Sequence, residues 1–206
     1  NLIKLQETRA LLEGTEHYIV AGDLTLNEEL HKVVEDLPQL DGVVHCAGIG
    51  QRVLCKLITE EDIDQIMRIN FKAPVMLQSL LLRQKKINKL ASIVFVTSIA
   101  SESPSYGNAL YSASKGALIS YVNCLGLELS PKKIRVNCIS PAMVMTDLIY
   151  EGGITKEQLK EDEKKYPLKR YGRPEDIAGL AVYLLSDASI WMTGSNVKIT
   201  GGVKQL

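Results

Sequence analysis

The chain carries no surplus charge of either sign: its 24 lysines and arginines balance 24 aspartates and glutamates across 206 residues. That excludes a nucleic-acid partner or an acidic tail driven by net charge. No apolar run approaches the length of a membrane span, so no membrane partner is expected. The opening residues, "NLIKLQETRALLEG", read as a polar helix rather than a signal peptide. Cysteine is sparse. Cys46, Cys55, Cys124 and Cys138 form no CxxC pair, and no His/Cys cluster has zinc spacing, so no metal site is predicted. On a strand, adjacent His45 and Cys46 point to opposite faces, a poor geometry for one metal. The four thiols read as free, buried or half-buried groups in a reducing cytoplasm. Internal repeats, low-complexity tracts and linkers are absent, and the length suits one domain over residues 1–206.

What is present is alternation. Hydrophobic period predicts helices over 2–13, with Leu2, Leu5, Leu11 and Leu12 inward, and over 27–37, 60–88, 109–130, 155–165 and 174–186. Strands are predicted at 17–23 ("HYIVAGD"), 41–48, 91–98, 134–141 and 196–200. The strands at 91–98 and 134–141 lack polar alternation, which argues for a parallel sheet covered by helices on both faces. Right-handed crossovers then give a doubly wound, Rossmann-like α/β fold. Ligands in such folds bind beyond the carboxyl ends of the strands. That singles out Asp23, Ala47-Gly48, Ser98 and Pro141-Ala142.

Tyr111 and Lys115, in "NALYSASKGALISY", are four residues apart and share one helix face. A free tyrosine, with a pKa near 10, is a poor proton donor or acceptor at neutral pH. Lowering it by about three units takes about 4 kcal/mol. An ammonium about 4 Å away supplies that at an effective dielectric near 20. One Tyr-x-x-x-Lys is expected by chance in a chain with eight tyrosines, so the pair alone is weak. Ser98 strengthens it: the residue ends a predicted strand thirteen positions earlier and offers a hydroxyl to a substrate oxygen, or else caps a loop. Asn70 lies inside the helix 60–88, where asparagine is mildly unfavourable. It reads as a solvent-facing residue, or as a group that bends the helix or holds a water.

These spacings make the chain resemble a short-chain dehydrogenase/reductase, of the single-domain type similar to 3-oxoacyl-[acyl-carrier-protein] reductase. In that family serine, tyrosine and lysine recur at the spacing of Ser98, Tyr111 and Lys115, and a fourth catalytic residue falls where Asn70 lies. "HCAGIG" (45–50), "VNCISPAMVMTDL" (136–148), "RYGRPEDIAGLAVYLLSD" (170–187) and "MTGSNVKITGG" (192–202) are similar to further family segments, so the resemblance spans nearly the whole chain. It implies that Tyr111 protonates a carbonyl oxygen while a nicotinamide delivers hydride to the carbon. Ser98 would hold that oxygen, Lys115 would lower the tyrosine pKa and bind the nicotinamide ribose, and Asn70 would link Lys115 to solvent through a water. Asp23 and Leu24 would flank the adenine, and Cys46, Ala47 and Gly48 the adenosine ribose. Tyr111, Lys115, Pro141, Ala142, Val144 and Thr146 would line the nicotinamide side. The implied cofactor is NADP or NAD, with NADP favoured by analogy. The implied partner is a small carbonyl compound, a ketone or 3-oxoacyl thioester, reduced to a secondary alcohol. A sugar or polyol dehydrogenase uses the same set, and a catalytically silent binding member of the fold is the alternative of another class.

The chain departs from the family pattern in three places. His45-Cys46 stand where two asparagines are usual, and Ala142 follows Pro141 where glycine is usual. No glycine-rich turn with its β-α-β unit precedes residue 42, where the only glycines are Gly14 and Gly22. The expectation is therefore an N-terminally incomplete domain without its pyrophosphate cradle. Residues 145–170 occupy the family's substrate-lid region and read as mobile and solvated. Arg83, Lys85, Lys86 and Lys89 read as a solvated helix end, or as a contact for an acidic carrier protein. The helix 109–130 is apolar around much of its circumference, so one face is expected to meet another subunit in a homotetramer or homodimer.

Overall fold

The strands without polar alternation are apolar on both sides because helices cover both sides. The computed structural model describes residues 1–150 and 155–203, save the side chain of Tyr150. In it β1 (Leu40–His45), β2 (Ile87–Val96), β3 (Arg135–Pro141) and β4 (Asn196–Ile199) form one parallel sheet in that spatial order. Ile93 and Phe95 of β2 and Val136 and Cys138 of β3 pack against α5 (Ala109–Leu129) through Leu118, Val122, Leu125 and Leu129. The intervening Val94 and Ile139 meet Leu184 of α7 (Pro174–Leu185) on the opposite face. On the α5 side, α4 (Ala73–Arg83) also covers the sheet, and α2 (Asn27–Glu35) packs on α4 through Leu30, Val34, Leu80 and Leu81. The connection from β3 to β4 steps along the sheet in the same direction as the others but on the α7 face. Its hand is therefore opposite to the two before it, against the expectation of uniform right-handedness.

The amino end of β3 is tied to α7 by a buried cation. Arg135 is 7% exposed and donates to the carbonyls of Leu184, Leu185, Ser186 and Ser189 and to Ser189 Oγ, at 2.7–3.4 Å. Leu184 and Leu185 are the last residues of α7, where a helix leaves its carbonyls without intrahelical partners. Arg135→Met is expected to strand the Leu185 carbonyl, the other three keeping donors from Ser92, Ser189 and Met192, and to lower stability by about 2 kcal/mol. A denaturant midpoint equal to that of the parent would contradict this account.

Several sequence expectations are corrected here. Residues 17–23 form no strand, because no neighbouring strand offers them a hydrogen-bond ladder; Tyr18 is 90% exposed. Helix α1 (Leu2–Ala10) buries no residue, and Leu2 and Leu11 are exposed rather than inward, because no element among those described covers its apolar positions. The helix predicted at 60–88 is three segments: α3 (Glu60–Met67), a π-turn at Arg68–Lys72, and α4. It stops at Arg83 because Lys85 turns into the left-handed region at φ 56°, and β2 starts at Ile87 rather than 91. A bulge in β2 then reaches Leu90, at φ 68°. Lys86 is not a solvated helix end: its Nζ donates to the carbonyls of Glu35 and Leu37, closing the C-terminus of α2. Of the predicted lid, residues 151–154 lie outside the described residues. The helix α6 (Lys156–Glu163) within it is anchored by buried Leu159 and by Tyr171 Oη donating to Asp162 Oδ2 at 2.8 Å.

Candidate active site

The carboxyl ends of β1, β2 and β3 open on a cavity of about 750 Å³. Each predicted residue on its wall is placed there by local structure. Ser98 follows β2. Its Oγ accepts from Ala100 N–H at 3.1 Å, so it caps the short turn Ile99–Ser101, and the residue lines the cavity together with Tyr111. Tyr111 and Lys115 rise from the first turns of α5, with the ammonium 5.8 Å from the tyrosine ring centroid. Lys115 is 5% exposed and donates to the Val96 carbonyl at 3.1 Å, which leaves two of its three donors unspent. Pro141, Ala142, Val144 and Thr146 line the same cavity from the end of β3, as Gly48 does from the turn after β1.

Asn70 is wholly buried in the π-turn, not solvent-facing. Its Oδ1 accepts from Ile49 N–H at 2.8 Å, and its Nδ2 donates to the Ile49 carbonyl and to Ser114 Oγ, at 3.0 and 3.1 Å. It therefore holds the turn after β1 by both backbone groups. A Cβ on Gly48 would stand 3.2 Å from Asn70 Oδ1 and 3.3 Å from Lys115 Nζ, so only glycine leaves that corner unstrained.

The remaining predicted cofactor contacts gather elsewhere. Asp23, Leu24, Cys46 and Ala47 line a second cavity of about 820 Å³, bounded also by His45, Ile69, Pro74 and Leu77. Cys46 and Val44 border both cavities. Asp23 is shaped locally: its carboxylate accepts from Thr25 N–H and Oγ1, at 2.9 and 2.7 Å, which holds its pKa below the usual value. Sequence reasoning missed Met143, Ile149, Tyr166 and Ile177, the apolar wall of the first cavity. Their only sequence signal is an apolar period that serves packing equally well.

Electrostatics differ from the sequence-based expectation in one respect. Burial pushes the Tyr111 hydroxyl up, and the nearby Ser98 side chain only partly offsets this. The expected lowering by Lys115 is not found: the ammonium sits over the ring and bonds to the Val96 carbonyl. Lys115 itself is lowered to about 8 by burial. Of the four cysteines only Cys138 is buried; Cys46, Cys55 and Cys124 are exposed, correcting the expectation of mostly buried thiols.

His45, at the end of β1, is buried, stacks on Phe95 with centroids 4.2 Å apart, and bonds Gln78 Oε1 through Nε2 at 2.9 Å. Burial lowers its pKa from 6.5 to about 4, the Gln78 bond opposing. The folded state thus stays neutral while the unfolded chain takes up a proton below pH 6.5. Stability is lost as pH falls through that window, by about 2 kcal/mol between pH 7 and pH 5. Replacing His45 with leucine should flatten that part of the stability profile; an unchanged slope would refute the assignment.

The architecture is that of a doubly wound α/β protein with a cavity at the carboxyl edge of its parallel sheet, and comparison with known proteins names the family. A family profile described as "Enoyl-(Acyl carrier protein) reductase" matches residues 3–204. A 3-oxoacyl-[acyl-carrier-protein] reductase of Rickettsia bellii is 33% identical over 181 residues, 88% of this chain and 74% of that protein. An L-xylulose reductase of Caenorhabditis elegans is 32% identical over 204 residues, 98% of this chain and 81% of the relative. A crystal structure from Brucella melitensis, described as a short-chain dehydrogenase/reductase of the glucose/ribitol dehydrogenase type, superposes with a TM-score of 0.91 at 29% identity, over 100% of this chain and 84% of that one. The chain belongs to the short-chain dehydrogenase/reductase family and is an NAD(P)-dependent oxidoreductase. No helix among the described residues is long and apolar enough to cross a membrane.

Proposed function

We propose that the enzyme reduces a ketone or 3-oxoacyl thioester to a secondary alcohol, with Tyr111 as proton donor, Ser98 and Lys115 as catalytic partners and Asn70 as the residue that positions them. The observation that carries the reading is the convergence of the Ser98 and Tyr111 side chains and a buried ammonium on one cavity wall. Two hydroxyls and an ammonium with donors to spare fit a hydroxylated ring such as a nicotinamide ribose. Pro141, Ala142, Val144 and Thr146 would hold the nicotinamide side, and Asp23, Leu24, Cys46, Ala47 and Gly48 the adenosine side, of NADP or NAD. We favour NADP, by analogy with the reductase relatives. The dinucleotide, when bound, supplies hydride to the carbonyl carbon. The protein's part is to hold the carbonyl oxygen with Ser98 Oγ and to give it a proton from Tyr111. Burial keeps that hydroxyl protonated at neutral pH, as an acid in the reductive direction must be. Lys115 keeps positive charge beside the tyrosine as the proton leaves.

The wall formed by Ile99, Met143, Ile149 and Tyr166 favours an acyl or alkyl chain beyond the carbonyl. A sugar or polyol substrate is the second reading. Ser103, Ser105 and Asn108 also reach the cavity, and the Caenorhabditis relative is named for a ketose. We place the enzyme in a reducing compartment such as the cytoplasm, because three exposed cysteines stand unpaired. We assign it a homotetramer or homodimer, because Leu127, Ile190 and Trp191 leave apolar surface at 77%, 70% and 98% exposure. The test is oxidation of NADPH and NADH with acetoacetyl thioester against a panel of ketoses, and reduction of NADP and NAD with polyols. Turnover of the thioester supports the first reading and polyol-only activity the second; activity with none of these defeats both.

A further inference from the structure

We propose that His45 and Gln78 form a positioning device that fixes the turn Cys46–Gly48, and with it the affinity of the site for its dinucleotide. The inference rests on the reading that the dinucleotide occupies the two cavities this turn separates. Cys46 borders both cavities, Ala47 the second and Gly48 the first. The turn is held from both ends by one run of helix. At its far end Asn70 grips both backbone groups of Ile49. At its near end His45 is gripped by Gln78, two helical turns further along, and clamped against Phe95. An amide oxygen only accepts, so His45 Nε2 carries the proton and the ring sits in a single neutral tautomer.

The pair is a poor way to gain stability, and that is what points to positioning. Gln78 is wholly buried, and its Nε2 has no hydrogen-bond partner. A buried amide with one group unsatisfied costs free energy that an apolar side chain of similar volume does not. What the amide does achieve is a directional bond that fixes the imidazole ring, and hence the backbone where β1 enters the turn. An apolar pair would leave the ring slot filled but undirected.

The test is direct dinucleotide binding, by quenching of intrinsic fluorescence with NADPH and NADH, alongside thermal unfolding and amide exchange over residues 45–49. His45→Leu and Gln78→Leu should each weaken binding about tenfold and speed exchange in that segment about tenfold. The double variant His45→Leu/Gln78→Leu removes both polar groups. Its melting temperature should return toward that of the parent, while its affinity and exchange stay altered. That split separates positioning from packing, since a merely structural role would restore all three together. Single variants with binding and exchange within twofold of the parent overturn the proposal, as does a double variant whose affinity recovers with its melting temperature. A parent protein that binds neither dinucleotide overturns the functional reading instead, and the exchange rates alone then decide whether the pair positions the turn.

Discussion

Tyr111→Phe is expected to reduce kcat by 10²–10⁴-fold while leaving the fold intact. The substitution keeps the ring and removes only the hydroxyl. Even a full neutral hydrogen bond is worth only about 1 kcal/mol, so stability should change little. Dinucleotide affinity should fall by no more than a few fold, because Lys115 and the turn at Cys46–Gly48 are untouched. The loss therefore belongs in kcat rather than in binding, the signature of a group whose contribution is made in the transition state. Steady-state kinetics at saturating dinucleotide read it directly. A kcat within threefold of the parent would remove Tyr111 from the chemistry.

Lys115→Met should do the opposite to stability and the same to activity. Lys115 has a folded pKa of about 8 against 10.5 for the free side chain, so at pH 7 the folded protein carries an ammonium that burial disfavours by about 3 kcal/mol. Methionine fills similar volume without charge. Less about 1 kcal/mol for the hydrogen bond lost at Val96, the variant should be more stable by about 2 kcal/mol at pH 7. The sign with pH follows from linkage. Between pH 8 and 10.5 the folded parent sheds a proton that the unfolded chain keeps, so parent stability rises over that window. The advantage of the variant should shrink accordingly, and catalysis should be lost throughout. Denaturant midpoints at pH 7 and pH 10 measure it. A variant less stable than its parent at pH 7 would show that the lysine stabilises the fold rather than burdening it.

Much of this arrangement is legible in the one-dimensional pattern, and the failures have physical causes. The parallel sheet follows from β2 and β3 having no polar side. The convergence of Ser98, Tyr111 and Lys115 follows from spacing and from the rule that such sheets bind ligands at their carboxyl edge. The stretch "HYIVAGD" misleads because apolar period measures suitability for burial, whereas a strand needs a ladder partner, which is a property of its neighbours. Helix 60–88 is overrun because nothing in "RQKKINKL" announces that Lys85 and Leu90 take left-handed backbone. The role of Asn70 is hidden for a different reason: its partners are backbone atoms 21 residues away and a serine 44 residues away, contacts that exist only once the chain has folded. The Tyr111 shift is misjudged because sequence spacing places the lysine on the right face but cannot place its charge over the ring rather than beside the hydroxyl.

The π-turn at Arg68–Lys72 sets a limit on chain length. A wide turn of this kind holds one residue more than an ordinary helical turn, so deleting any one of its residues would let α3 and α4 join as a continuous α-helix. The wide turn and the ordinary turn each complete one revolution, so the deletion would leave α3 and α4 in register, with wholly buried Ile66 still inward, and would act on the turn itself, moving Asn70 off the backbone of Ile49. Substitutions on the outward face of this helix are cheap by comparison. The segment tolerates changes of letter far better than a change of count.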